Sequence, residues 1–177
     1  MELSYNTEIY PGTLNAVDRE LIEQQLINQE AETVEEKENF TRAYQKAKEL
    51  AGTTAPYEIT DEQVAELILE FARQVYPLEN HFGLRVLQPV HGKTGEVIGV
   101  PPGRALEVAI VQWCEAYAAA QKSPDELFYE FEVIHPFNDG NGRVGHLMWA
   151  LAMVRGGSQW PTTLPPEFSE LKKKYSN

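Results

Sequence analysis

Hydrophobic positions recur along most of this chain at helical rather than strand spacing. After a turn signalled by Tyr10-Pro11-Gly12-Thr13, the residues Leu14, Val17, Leu21, Ile22 and Leu26 predict a helix over roughly 15–30. The stretch from about 32 to 50 is rich in charge and free of Pro, and predicts a second, largely exposed helix closed by Gly52 and Pro56. Thr60-Asp61-Glu62-Gln63 fits a capping box, in which hydroxyl and amide satisfy the first N–H groups reciprocally. Val64, Leu67, Ile68, Phe71 and Val75 form the apolar stripe behind it, and Pro77 ends it. The pattern then changes. Val86, Leu87, Val90, Val97, Ile98 and Val100 flank His91-Gly92-Lys93-Thr94-Gly95, a β-hairpin signal that Pro101-Pro102-Gly103 breaks. A helix is predicted from about 104 to 121. Another covers 124–134, opened by Ser123 with Pro124 at its first position. A Gly-rich polar loop interrupts, helix resumes near Arg143, and Gly156-Gly157 stops it. The tail at 171–174 reads as a solvated helix end. The expectation is one domain over 1–177, all-α with one small β-hairpin.

Composition narrows the class. The chain has 177 residues, 42% hydrophobic, which suits a folded domain rather than a disordered one. No apolar run reaches the ~20 residues of a membrane span, so no membrane is expected. The start, Met1-Glu2-Leu3-Ser4-Tyr5-Asn6, lacks a basic region and an apolar core, which argues against a secretory signal. One cysteine, Cys114, permits no internal disulfide, and a reducing, cytoplasmic setting is expected. The net charge of −12 disfavours nucleic acid as a partner. An anionic ligand needs a local positive site working against that field.

One segment offers such a site: Ile134-His135-Pro136-Phe137-Asn138-Asp139-Gly140-Asn141-Gly142-Arg143-Val144-Gly145-His146. Two glycines flank an asparagine just before a helix. Glycine admits left-handed backbone and close ligand approach, and successive N–H groups there make an anion nest at the positive end of a helix. Arg143 is a cation in a first helical turn, unfavourable for the helix alone but sensible beside a bound anion. Asp139 adjoins the nest, as a carboxylate holding Mg²⁺ beside phosphate would. His135 is a candidate base. Singly these features suit a solvated turn and a helix terminator. Base, carboxylate, nest and arginine within nine residues point to phosphate chemistry.

This segment resembles the signature of the Fic family, His-Pro-Phe-x-Asp/Glu-Gly-Asn-Gly-Arg-x-x-Arg, matching every specified position from His135 to Arg143. Phe131-Glu132-Val133-Ile134 before it and Leu147-Met148-Trp149-Ala150-Leu151 after it also fit, as do Gly83-Leu84-Arg85 and Val97-Ile98-Gly99-Val100-Pro101-Pro102 upstream. Residues 60–157 correspond to the family core, with a flap at about 85–100 and an active-site loop at 135–143. The N-terminal helices span 14–52. The resemblance implies an all-α fold with a hairpin flap over a nucleotide. It implies AMP transfer from Mg-ATP to a Ser, Thr or Tyr hydroxyl of a target protein. His135 would be the general base, Asp139 the Mg²⁺ ligand, Gly140, Asn141 and Gly142 the anion hole, and Arg143 the phosphate clamp. Val97, Ile98, Gly99 and Val100 would form the flap edge beside nucleotide and target.

The family's final arginine is replaced by His146. One face is shared by positions three apart on a helix, so His146 is expected to point toward the phosphates, with nucleotide affinity rising below its pKa. The family's inhibitory motif, Ser/Thr-x-x-x-Glu-Gly/Asn, has its nearest match at Val34-Glu35-Glu36-Lys37-Glu38-Asn39. Glu38 is the candidate regulatory residue, set against a plain solvated face. Three readings follow: an active adenylyltransferase; a Doc-like kinase or user of another phosphate donor; or a catalytically weak nucleotide-binding regulator. Doc-type motifs carry lysine where Gly142 stands, which favours the first. The acidic face at 29–38 suits solvent or a basic partner. A toxin-like role with an antitoxin, or a homo-oligomer, remains among the partner expectations. His81 and His91 read as surface or turn residues. Cys114, Trp113, Trp149 and Trp160 read as packing.

Overall fold

The computed structural model describes residues 14–53 and 58–176. The turn expected at 10–13 and the stop at Pro56 lie outside them. Among the described residues seven helices follow one another: α1 (Ala16–Asn28), α2 (Val34–Thr53), α3 (Asp61–Val75), α4 (Arg104–Ala118), α5 (Pro124–Ile134), α6 (Asn141–Arg155) and α7 (Phe168–Tyr175). No helix among the described residues is long and apolar enough to cross a membrane.

The helix starts follow local chemistry. Asn15 and Asp18 form a reciprocal capping box on α1, as Thr60 and Gln63 do on α3. Ser123 accepts from the Glu126 amide at α5, with Pro124 at the first position. The centre is α6. Every residue from Asn141 to Ala150 is buried, so this helix is enclosed on all sides rather than amphipathic. It packs on α2, α3 and α5. Gly145 admits α5 closely, since a β-carbon there would stand 3.0 Å from the Phe128 ring.

Two elements differ from the sequence expectation. Helix α2 is not largely exposed, because Phe40, Ala43, Tyr44 and Ala47 are buried at i, i+3, i+4, i+7 spacing. Its charged residues occupy the opposite face and masked this narrow stripe. The hairpin shrinks to one antiparallel bridge, Val90 to Val97, with His91 N donating to Glu96 O at 2.7 Å and Ile98 N to Pro89 O at 3.0 Å. Its apolar residues Val86, Leu87, Val90 and Val97 are exposed, so no packed face extends the ladder. The tail helix α7 is anchored rather than fully solvated, since Leu171 is buried with Phe128, Trp149 and Ala150.

Candidate functional site: the loop between α5 and α6

The loop begins where α5 ends. His135 caps that helix in the left-handed region, φ 52° and ψ 61°. Such backbone is costly for a residue with a β-carbon, and its surroundings must hold it. Arg85 does much of this. Its guanidinium donates to His135 O at 2.6 Å and Ile134 O at 3.2 Å, and its backbone N–H to Pro136 O at 3.0 Å. The imidazole is half-buried. Burial pushes its pKa below the usual 6.5, Arg85 adds to this, and Asp139 and a hydrogen bond to the Glu132 carbonyl act the other way. One ring nitrogen therefore donates to Glu132 O, and the other is free to accept a proton near neutral pH.

Asn141 shapes the next turn. Its Oδ1 accepts from Phe137 N and its Nδ2 donates to Phe137 O, both at 2.9 Å. The Asn141 side chain is thus committed to the loop, leaving its backbone N–H for a ligand. Gly140 is the left-handed N-cap of α6, φ 75°, and provides no side-chain cap. The N–H groups of Asn141, Gly142 and Arg143 precede the first intrahelical bond, Val144 N to Gly140 O, and lack helical acceptors. Arg143 is 1% exposed. Its Nη2 donates to Asp139 Oδ1 at 3.0 Å, while Nε and Nη1 have no hydrogen-bond partner.

Asp139 Oδ1 also accepts from Gly140 N at 2.5 Å. The side chain is half exposed and Oδ2 makes no hydrogen bond among the described residues. No cluster of three His, Cys, Asp or Glu side chains capable of caging a metal occurs among the described residues. One free carboxylate oxygen beside an anion nest fits the way Mg²⁺ is held by one or two carboxylates plus substrate phosphates.

Flap residues reach the same place. Val100 N donates to Ile134 O at 3.2 Å. Gly99, φ 79°, lies so close that a β-carbon would stand 2.9 Å from His135 Cβ. Gln88 Nε2 donates to Ile98 O at 2.5 Å, while Val97 remains exposed. The structure thus brings together His135, Asp139, Gly140, Asn141, Gly142, Arg143, Gly99 and Val100.

Two expected residues stand elsewhere. His146 does not point toward the nest. It is 1% exposed and sits among the rings of Phe40, Tyr44 and Trp149, 5.8–6.2 Å between centroids. Burial pushes its pKa down to about 3, and Nδ1 has no partner. The covering helix α2 turns that part of the α6 face into core, so the pH-dependent grip expected of it is lost. Glu38 is exposed and pairs with Arg42 at 3.7 Å on the surface of α2. Glu36 stands near the loop instead. Its Oε1 is 4.0 Å from Arg143 Nη1, and its Oε2 accepts from the Thr33 amide and hydroxyl. Thr33-Val34-Glu35-Glu36 is itself a capping box, the signal by which Glu36 was findable. Gln29, at the end of α1, lies over Gly142, where any β-carbon would collide with its amide. Sequence reasoning also missed Asn80, fully buried, whose Nδ2 donates to Ala72 O at 2.9 Å and Asp139 O at 3.0 Å. A lone buried polar residue outside a motif leaves no pattern to find.

The family model described as the Fic/DOC family matches residues 13–153. Among solved structures, a variant of a Fic-1 fragment from C. elegans is similar at TM-score 0.51 and 21% identity, covering 96% of this chain and 51% of that one. The unsubstituted fragment gives 0.48 and 22%, covering 85% and 46%. The chain therefore spans about half the length of these fragments, and the likeness to the first is one of fold.

Proposed function

The chain belongs to the Fic/DOC family, and from that premise we propose that it is a protein adenylyltransferase, moving AMP from Mg-ATP to a hydroxyl side chain of a target protein. The observation that carries this is Arg143, a buried guanidinium whose Nε and Nη1 lack hydrogen-bond partners at an uncapped helix start. A buried cation with idle donors is costly unless an anion completes it. Phosphate oxygens suit both its planar fork and the free N–H groups beside it.

The residues divide the work. His135, neutral near pH 7, takes the proton of the attacking hydroxyl. The hydroxyl oxygen bonds to the α-phosphorus, the bond to the pyrophosphate oxygen breaks, and pyrophosphate leaves. The α6 N-terminus and Arg143 stabilise charge developing on the phosphoryl oxygens. Asp139 would hold Mg²⁺, which neutralises phosphate charge. Positioned base catalysis contributes typically ~10²–10⁴-fold.

The kinase alternative finds less support. Doc-type motifs carry lysine at the position that Gly142 fills here. The deciding assay incubates the protein, Mg²⁺ and a lysate with ATP labelled at the α- or, separately, the γ-phosphate, beside His135→Ala. Protein label from α alone, lost in the variant, is the expected result. Label from γ alone makes it a kinase. Nucleotide binding without label from either position makes it a regulator.

A further inference from the structure

We infer that Arg85, outside the loop motif, is the positioning residue that sets the backbone of His135 and couples it to the flap; this rests on His135 being the base proposed above. The arrangement of its donors carries the inference. Arg85 is 2% exposed and has no carboxylate partner among the described residues. Its hydrogen bonds go to backbone carbonyls instead. Three belong to consecutive residues, Ile134, His135 and Pro136, spanning the exit of α5. The other two, Leu87 and Val100, lie on the two sides of the flap, the Leu87 contact at 3.2 Å.

A guanidinium suits this place on three counts. It stays charged when buried, it presents five donors in a rigid plane, and the carbonyls at a helix C-terminus carry the negative end of the dipole. The geometry is specific to the base. His135 occupies left-handed backbone, which its own helix does not enforce, and its carbonyl accepts from Arg85 Nε at 2.6 Å. Gly99 closes the stack. A β-carbon there would stand 2.5 Å from Arg85 Nη2, 2.9 Å from His135 Cβ and 3.0 Å from Ile134 O. Flap, guanidinium and base thus occupy one tight layer, and displacing one displaces the others. None of Arg85's bonds goes to the α6 N-terminus, where phosphate would bind. Arg85 should therefore govern the rate of transfer and not nucleotide affinity.

The test uses the full chain as wild type, Arg85→Lys and Gly99→Ala. Lysine keeps the charge but is a point donor that cannot span the four carbonyls the guanidinium reaches. Alanine at 99 removes no functional group and perturbs the layer by the volume of its β-carbon and by the strain of a left-handed backbone, φ 79°. Far-UV circular dichroism checks the helices, and three readouts follow. These are the NMR signals of the His135 imidazole, the hydrogen exchange of the Val100 amide, and AMP transfer beside the Kd of a nonhydrolysable ATP analogue with Mg²⁺. In both variants the imidazole signals should shift and broaden, the Val100 amide should exchange faster, and transfer should fall by about 10²-fold, the scale of a 1 Å misplacement; in Arg85→Lys this happens at unchanged Kd. An imidazole spectrum and transfer rate like wild type in both variants overturns the inference. So does loss of nucleotide binding in step with transfer in Arg85→Lys. Should wild type transfer nothing, the imidazole and amide readouts decide alone: changes there uphold the positioning role while the adenylyltransferase reading fails.

Discussion

At the scale of single residues, the loop 135–143 was legible because its chemistry is contiguous in sequence. A helix terminator, a carboxylate, two glycines and an arginine need no distant partner to suggest an anion site. His135→Ala should abolish transfer with nucleotide binding retained, since the imidazole takes a proton while the N–H groups of α6 and Arg143 hold the phosphates. The acid limb of the wild-type rate profile should fall below pH 6.5, because burial lowers the His135 pKa and protonation removes the base; a midpoint above 6.5 contradicts this. Glu36 carries a capping-box signal, but the family motif directs attention to Glu38, two positions on. Two residues on a helix are about 200° apart, which puts Glu38 in solvent when Glu36 faces the loop. Glu36→Gln keeps the Thr33 cap but removes the carboxylate beside Arg143. Nucleotide affinity should rise by up to about 1 kcal/mol, roughly fivefold. Equal or weaker binding in a calorimetric titration rejects that competition.

Among the elements, helix boundaries followed from caps and stops that act locally, at Thr60, Ser123 and Gly156. What the pattern lacked was the neighbour of each face. His146 and Glu132 illustrate this on the adjoining helices α6 and α5. Burial holds His146 neutral, down to about 3 from 6.5, and raises Glu132 from 4.5 to about 7, with Glu132 Oε1 unpartnered. Their effects on stability have opposite sign. The unfolded chain protonates His146 more readily than the folded one, so this residue costs stability as pH falls from 6.5 toward 3. The folded chain keeps Glu132 protonated longer, so this residue costs stability as pH rises from 4.5 toward 7. Thermal melts should therefore separate them. Relative to wild type, His146→Phe should gain Tm progressively below pH 6.5, and Glu132→Gln should gain it progressively above pH 4.5. Differences independent of pH would show that neither group titrates in this way. The hairpin is the other lesson at this scale. Its alternating apolar residues predicted a ladder, but no sheet or helix covers them, and one bridge is what remains.

For the whole molecule, charge and topology matter most. A net charge of −12 surrounds the site proposed to hold phosphate. Long-range repulsion should slow nucleotide encounter, and salt should relieve it. The association rate of Mg²⁺-loaded nucleotide, followed by stopped flow, should rise between low and physiological ionic strength. A rate that falls instead would mean that the local cation dominates the approach. By itself the sequence determined the helical class, the helix starts and the chemical identity of the loop, because propensities, caps and a contiguous motif depend on neighbours along the chain. Only the tertiary structure decided which side chains complete that loop. It brought in Arg85, Asn80, Gln29 and Glu36 from elsewhere in the chain, and withdrew His146 into an aromatic core. Helical periodicity states that two residues share a face; whether that face meets ligand or α2 depends on how the helices pack. Burial and pKa follow from that packing.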